Sequence, residues 1–235
     1  MSLFDTQRAM LRKVAEALGP ELRKQVVFVG GCTTGLLLTD PFTREQVRST
    51  DDVDLIVHVM GYGEQVKFHK ELCRKGFRVA MPEPTEDLPT CAFKLGELRV
   101  DVMLDEDSAL GPSNRWYQHA MASAEIYPLD DALTIRVVSP VMFVATKLEA
   151  YKGRGNGDAM TSRDIEDILN LVDGRPELMD EILAADTEVQ HYIAVELVQL
   201  LQDSNFEYAV KSQAGIQDRE DLLFERVEQL AEDSN

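Results

Sequence analysis

The hydrophobic pattern of the chain changes kind at Ser139 and Pro140. Before them, short apolar runs with the spacing of strands ("VVFVG", "VDLIVHV", "FRVAM", "LRVDVML") alternate with stretches of helical spacing such as "TQRAMLRKVAEAL" and "EQVKFHKELCRKG". After them, the apolar positions recur almost only at helical spacing. A chain patterned in this way is expected to be α+β. Its mixed N-terminal domain spans residues 1–138 and its helical C-terminal domain spans 139–235. With 235 residues, 44% of them hydrophobic, each part can bury an ordinary core.

The local signals predict more detail. Asp5 is expected to cap the first helix, and Gly19 and Pro20 to end it. "CTTGLLL" reads as one or two helical turns, "TDPFTREQVRST" as an Arg-bearing loop and "MPEPTEDLP" as a proline-rich loop. "TCAFKLGELRVDVML" reads as a hairpin turning at Gly96 and Glu97, and "EIYPLDDALTIRVV" as two further strands. No basic leader precedes an apolar run, and no stretch approaches the ~18 apolar residues of a span, so a cytoplasmic location without membrane contact is expected. Cys32, Cys73 and Cys91 are widely spaced and without C-x-x-C pairing, which argues for reduced thiols and against zinc.

Within "TDDVDLIVHV", Asp52 and Asp54 point to the same side of a strand, roughly 7 Å apart by its rise. Two ionised carboxylates in one partly buried place repel unless a cation lies between them. Upstream, "FVGG" places Gly30 and Gly31 where a strand turns into a helix, so that backbone N–H groups can approach a phosphate. Downstream, Asp101 lies on an alternating strand, on the face opposite Val100 and Val102. Taken alone, the glycine pair is a tight turn and Asp101 is a surface partner of Arg99. Together, three carboxylates on neighbouring strands beside a glycine turn suit a hard divalent cation, Mg²⁺ above all, which takes oxygen ligands and completes its shell with water and phosphates. His58 shares the parity of Asp52 and Asp54 and reads as packing.

Gly30-Gly31, Asp52-Val53-Asp54-Leu55 and a later strand aspartate resemble the nucleotidyltransferase superfamily, the fold shared by DNA polymerase beta and many RNA and small-molecule nucleotidyltransferases. The serine often found after the glycine pair is Cys32 here, which leaves Thr33 or Thr34 to supply any hydroxyl contact to a phosphate. "SPVMFVATKLEAYKGRGNGDAMTSRDIEDILNLVDGR" is similar to the later motifs of abortive-infection-type toxin nucleotidyltransferases: a helix lysine, a glycine-containing basic loop and a D-x-x-D pair. The resemblance covers about residues 25–175. It implies a nucleotidyltransferase-like mixed sheet with flanking helices, followed by the helical domain.

The resemblance also implies two Mg²⁺ ions, with Mn²⁺ as a substitute, held by Asp52, Asp54 and Asp101, and an NTP as substrate. Lys147 would meet the triphosphate, Asp164 would orient Lys147 or the base, and Asp167 would join them in nucleotide binding. Read without the resemblance, Lys147 is a lysine at the border of an apolar stripe with its ammonium reaching outward, and Asp164 and Glu166 favour a helix N-terminus.

The acceptor divides the readings. An RNA, tRNA in particular, would make the chain the toxin of a toxin–antitoxin pair with an antitoxin partner. A small hydroxylated molecule, such as an antibiotic or metabolite, is the alternative, and a catalytically silent binding protein of the same fold is the third. The net charge of -18 argues against a general nucleic-acid coat. The residues from Glu177 onward hold fifteen acidic and three basic side chains. They read as solvated helix faces or as a surface for a basic partner.

Overall fold

The computed structural model describes residues 2–81, 91–105, 114–153, 157–214 and 217–232, and the chain divides into two compact units. The first unit comprises residues 1–33 and 48–139, the second 34–47 and 140–235. The change of pattern at Ser139 is thus also a boundary between units. Residues 34–47, read from sequence as part of the N-terminal region, group with the second unit.

In the first unit, helix α1 (Leu3–Arg23) leads into strand β1 (Val26–Val29). Ser2, not Asp5, is the N-cap: its hydroxyl accepts from Asp5 N, while the Asp5 carboxylate, three positions on, accepts from Ser2 N in a capping box. Gly19, at φ 70°, breaks the helix as expected, but Pro20 then starts a further turn. Leu11, Val14, Ala15, Leu18 and Leu22 form the buried stripe of α1, which packs on β1 and its sheet neighbours.

A seven-stranded mixed sheet is the core of this unit. It adds β2 (Asp52–Val57), β3 (Arg78–Val79), β4 (Ala92–Leu95), β5 (Leu98–Leu104), β6 (Glu125–Pro128) and β7 (Thr134–Val137), in the order β3-β4-β5-β2-β1-β7-β6. β1 is apolar throughout because it is central and buried at every position. Its pairing with β2 is antiparallel, whereas β2 runs parallel to β5 with Asp52 opposite Arg99 and Asp54 opposite Asp101. The β4–β5 hairpin turns at Gly96, whose φ of 64° suits glycine. α4 (Tyr62–Arg74) and α5 (Tyr117–Ala122) complete the unit. The expected "FRVAM" strand shrinks to two residues, and all of the expected "MPEPTEDLP" loop after Met81 lies outside the described residues.

The second unit is helical: α2 (Thr34–Leu37), α3 (Pro41–Glu45), α6 (Pro140–Gly153), α7 (Arg163–Gly174), α8 (Leu178–Leu183), α9 (Thr187–Leu201), α10 (Ser204–Ala214) and α11 (Gln217–Glu232). α3 replaces part of the expected Arg-bearing loop; Asp40 caps it by accepting from Thr43 N at 2.9 Å, and Pro41 sits where a missing N–H costs nothing. α6 is buried at every position from Pro140 to Leu148, a wider contact than the single stripe that the spacing suggests. The segment 34–47 belongs here because it caps α7: Thr39 N and Asp40 N donate to Gly174 O at 3.0 and 2.9 Å.

Candidate active site

On β2 the alternation of a strand puts Val53, Leu55 and Val57 in the core and turns Asp52 and Asp54 to the other side, where both are half-buried. β5 adds Asp101 beside Asp54 and Arg99 beside Asp52. The three carboxylates thereby converge: each offers an oxygen, and these oxygens all lie within 4.8 Å of one another. Among the described residues, this is the one group of three or more acidic, histidine or cysteine side chains that could hold a metal.

The positive charge demanded by the pattern is partly supplied by the chain. Arg99 Nη2 donates to Asp52 Oδ2 and lies 3.2 Å from Asp101 Oδ2. Thr50 Oγ1 donates to the other Asp52 oxygen at 2.6 Å. Asp101 is only 6% exposed, and its Oδ1 is buried with no hydrogen-bond partner. Burial pushes the Asp101 carboxyl above the usual carboxylate range, and Asp52 adds to the shift, while Arg99 opposes it. The guanidinium leaves Asp101 Oδ1 without a partner. An all-oxygen donor set with such an orphaned atom fits a divalent cation.

Gly30 has φ 75°, and a Cβ built there would lie 1.8 Å from Asp54 Oδ2. The glycine therefore makes room for a carboxylate on the adjacent strand as well as turning the chain into the 3₁₀ turn Gly31–Thr33. Cys32 is buried and directs its thiol to Gln7 O at 3.7 Å; burial, with Asp54 and Asp52 adding to it, pushes that thiol well above its ordinary range. It is an inert core thiol, as is the buried Cys91, whose thiol burial pushes up to about 12. Thr33 is buried, with its hydroxyl donating to Gly30 O at 2.8 Å.

The remaining sequence-predicted residues cluster within the second unit. Lys147 is 7% exposed, and its ammonium lies 2.7 Å from Asp167 Oδ2 and 3.1 Å from Asp164 Oδ1. The outward-reaching lysine expected from the helical stripe is not what is found, because α6 is buried at every position from Pro140 to Leu148 and its lysine pairs internally. Thr34 Oγ1 is 3.4 Å from Asp167 Oδ1, so this threonine faces an acid. Ser162 caps α7 as expected, accepting from Ile165 N at 3.4 Å. Within the basic loop that follows α6, residues 154–156 lie outside the described residues.

Sequence reasoning gave Arg99 only as a surface partner of Asp101, and missed its bridge to Asp52 and the Thr50 contact. Arg99 and Thr50 carry the parity of Asp101 and Asp52, and that parity was the signal available for them. His58, read as packing, is half exposed, with Nδ1 2.8 Å from Oδ2 of the buried Asp105. Its partner could not be named without the β2–β5 register. No helix among the described residues is long and apolar enough to cross a membrane.

No protein-family model matches the chain. No curated protein matches it either. Among solved structures, it is similar to the JHP933 protein of Helicobacter pylori, at 12% identity and a TM-score of 0.49 over 98% of this chain and 93% of that one. It is also similar to a candidate nucleotidyltransferase from H. pylori, at 11% identity and a TM-score of 0.45 over 97% and 95% of the two chains.

Proposed function

We propose that the chain is a metal-dependent nucleotidyltransferase that moves a nucleoside monophosphate from an NTP to an acceptor hydroxyl and releases pyrophosphate. The observation that carries this reading is the convergence of Asp52, Asp54 and Asp101 beside the Gly30 turn, with one buried Asp101 oxygen left without a partner. Asp52, Asp54 and Asp101 would hold Mg²⁺, with Mn²⁺ able to replace it. When bound, such ions supply charge neutralisation at the triphosphate and a lowered pKa at the acceptor hydroxyl.

The chain's own residues prepare the place. Thr50 holds the Asp52 carboxylate in one orientation. Gly30 leaves the space that Asp54 occupies, and Gly30 and Gly31 present backbone without a side chain in the way of a phosphate. Thr33 rigidifies this turn through Gly30 O. Lys147, Asp164, Asp167 and Thr34 stay in the proposal as the charged group of the second unit, with Asp164 orienting Lys147.

RNA, in particular tRNA, is the acceptor that the resemblance of residues 139–175 implies. With it come the role of a toxin and a cognate antitoxin partner. A second reading, a small cationic hydroxylated acceptor, is favoured by the net charge of -18 and by the engagement of basic side chains within the fold. Lys152 Nζ is 2.5 Å from Glu196 Oε1 and lies over the Tyr192 ring, and Arg44 donates to Leu38 O.

Incubating the protein with each labelled NTP, Mg²⁺, and either total RNA or a panel of small acceptors tests the reading. Transfer to one acceptor class is expected, and Asp52→Asn and Asp54→Asn should each abolish it while the fold persists. Full activity of either variant would remove the metal-site assignment.

A further inference from the structure

We propose that Arg99 is a resident counter-ion: in the metal-free protein its guanidinium takes the cation's place among the carboxylates, and it must leave for the site to load, so that Arg99 sets the affinity for divalent metal. The inference rests on reading Asp52, Asp54 and Asp101 as metal ligands. It starts from the strand register, which sets Arg99 directly opposite Asp52 on the same side as Asp101. Nη2 of Arg99 bridges Oδ2 of Asp52 and Oδ2 of Asp101. One nitrogen thus holds an oxygen of two of the three candidate ligands, and a metal ion would compete with it for these carboxylates.

Two further observations argue that the arrangement is temporary. Arg99 Nε is buried without a hydrogen-bond partner, as is Asp101 Oδ1, so the guanidinium satisfies neither itself nor the cluster fully. A fork that matched its partners would use such atoms. The Arg99 side chain is also one-third exposed, against 8% for Asp101, which leaves it a route to water while the carboxylates stay in place. A guanidinium is weakly hydrated and always charged, so protonation does not regulate its departure. Like charges at this range repel, and a bound dication would favour the outward position of the arginine.

The consequence is a site that stays assembled without metal and does not bind it at full strength. Removing the arginine takes the bridging cation from Asp52 and Asp101 in the apo protein and the competitor from the loaded one. These two effects have opposite signs in two different measurements, and a purely structural arginine would not produce that split.

The test uses the full chain as wild type, Arg99→Met, Arg99→Lys and Asp54→Asn. Mn²⁺ binding is followed by electron paramagnetic resonance or calorimetry, and melting temperature is measured with and without Mn²⁺. Arg99→Met should bind Mn²⁺ about tenfold more tightly than wild type. It should melt lower than wild type without metal and recover with it. Arg99→Lys, a point charge that cannot bridge two carboxylates, should fall between the two, and it serves if the methionine variant does not fold. Asp54→Asn should lose binding.

Arg99 variants that bind as wild type does, or more weakly, while Asp54→Asn loses Mn²⁺, would overturn the counter-ion role and leave the metal reading standing. Asp54→Asn binding as wild type does, or no Mn²⁺ binding by either wild type or the Arg99 variants, would overturn both. Binding by the Arg99 variants but not by wild type would support both.

Discussion

Gly30 shows how a single residue can serve the backbone and the site at once. Its φ of 75° costs an L-residue about 1–2 kcal/mol, which a stable domain could absorb. The larger effect is local, since a Cβ would fall 1.8 Å from Asp54 Oδ2 and one of the two groups must move. Gly30→Ala is therefore expected to cost metal binding and transfer as much as Asp54→Asn does while the protein remains folded, a comparison that Mn²⁺ titration and a melting curve together make. Lys147 poses the opposite case. Its ammonium pairs with Asp164 and Asp167, which are 3% and 0% exposed, and removing one partner of a buried ion group leaves uncompensated charge. Lys147→Ala should cost about 3–5 kcal/mol in urea unfolding. The triple change that also makes Asp164 and Asp167 asparagine should recover part of this. Equal stability of wild type and Lys147→Ala would return the lysine to the solvent-facing role that its spacing suggested.

Helix α7 carries a buried polar stripe at every third position: Asp164, Asp167, Asn170 and Asp173. Three residues fall short of a full turn, so the stripe winds around the helix and successive members meet different elements. Asp164 and Asp167 meet Lys147 of α6, Asp167 also meets Thr34 of α2, Asn170 meets Gln213 of α10, and Asp173 meets Arg219 of α11. Arg226 closes the C-terminal end by donating to Val172 O and Asp173 O at 3.0 and 2.6 Å. At Gly174 a Cβ would lie 2.8 Å from Thr43 Cγ2 and 2.9 Å from Leu38 Cδ2. Alanine gains up to ~1 kcal/mol in helix propensity, but overpacking costs about 1–3 kcal/mol, so Gly174→Ala is expected to destabilise. Chemical denaturation measures the net sign. The sequence made α7, its Ser162 cap and its acid spacing legible because these are local. The partners were not legible, since Asn170 and Asp173 look like solvated positions until α10 and α11 are packed. The same limit explains the carboxylate face of the sheet. Strand parity identified Asp52, Asp54 and Asp101, whereas the pairing of Arg99 with Asp52 depends on register between strands more than forty residues apart in sequence.

For the whole chain, the distribution of charge bears on the acceptor more directly than the fold does. The net charge is -18, and the helical region from Glu177 onward holds fifteen acids against three bases, a balance that repels a polyanion and attracts a cation. Several basic side chains that could have met RNA are engaged within the fold, among them Lys152 with Glu196, Arg175 with Glu181 and Arg219 with Asp173. Arg163, exposed at the start of α7, is a better placed contact. An RNA acceptor that overcame the acidic field would need several phosphate contacts, and its affinity would fall by about 0.7 log units per log unit of salt for each single-strand phosphate neutralised. Arg163→Glu would then weaken RNA binding and shallow that slope, with little change in NTP use. A small cationic acceptor releases few counter-ions, so its affinity would decline gently with salt and respond little to Arg163→Glu. Acceptor binding measured from low to moderate salt on wild type and Arg163→Glu separates the two. A steep slope reduced by the charge reversal favours RNA, and a shallow slope indifferent to it favours a small-molecule acceptor.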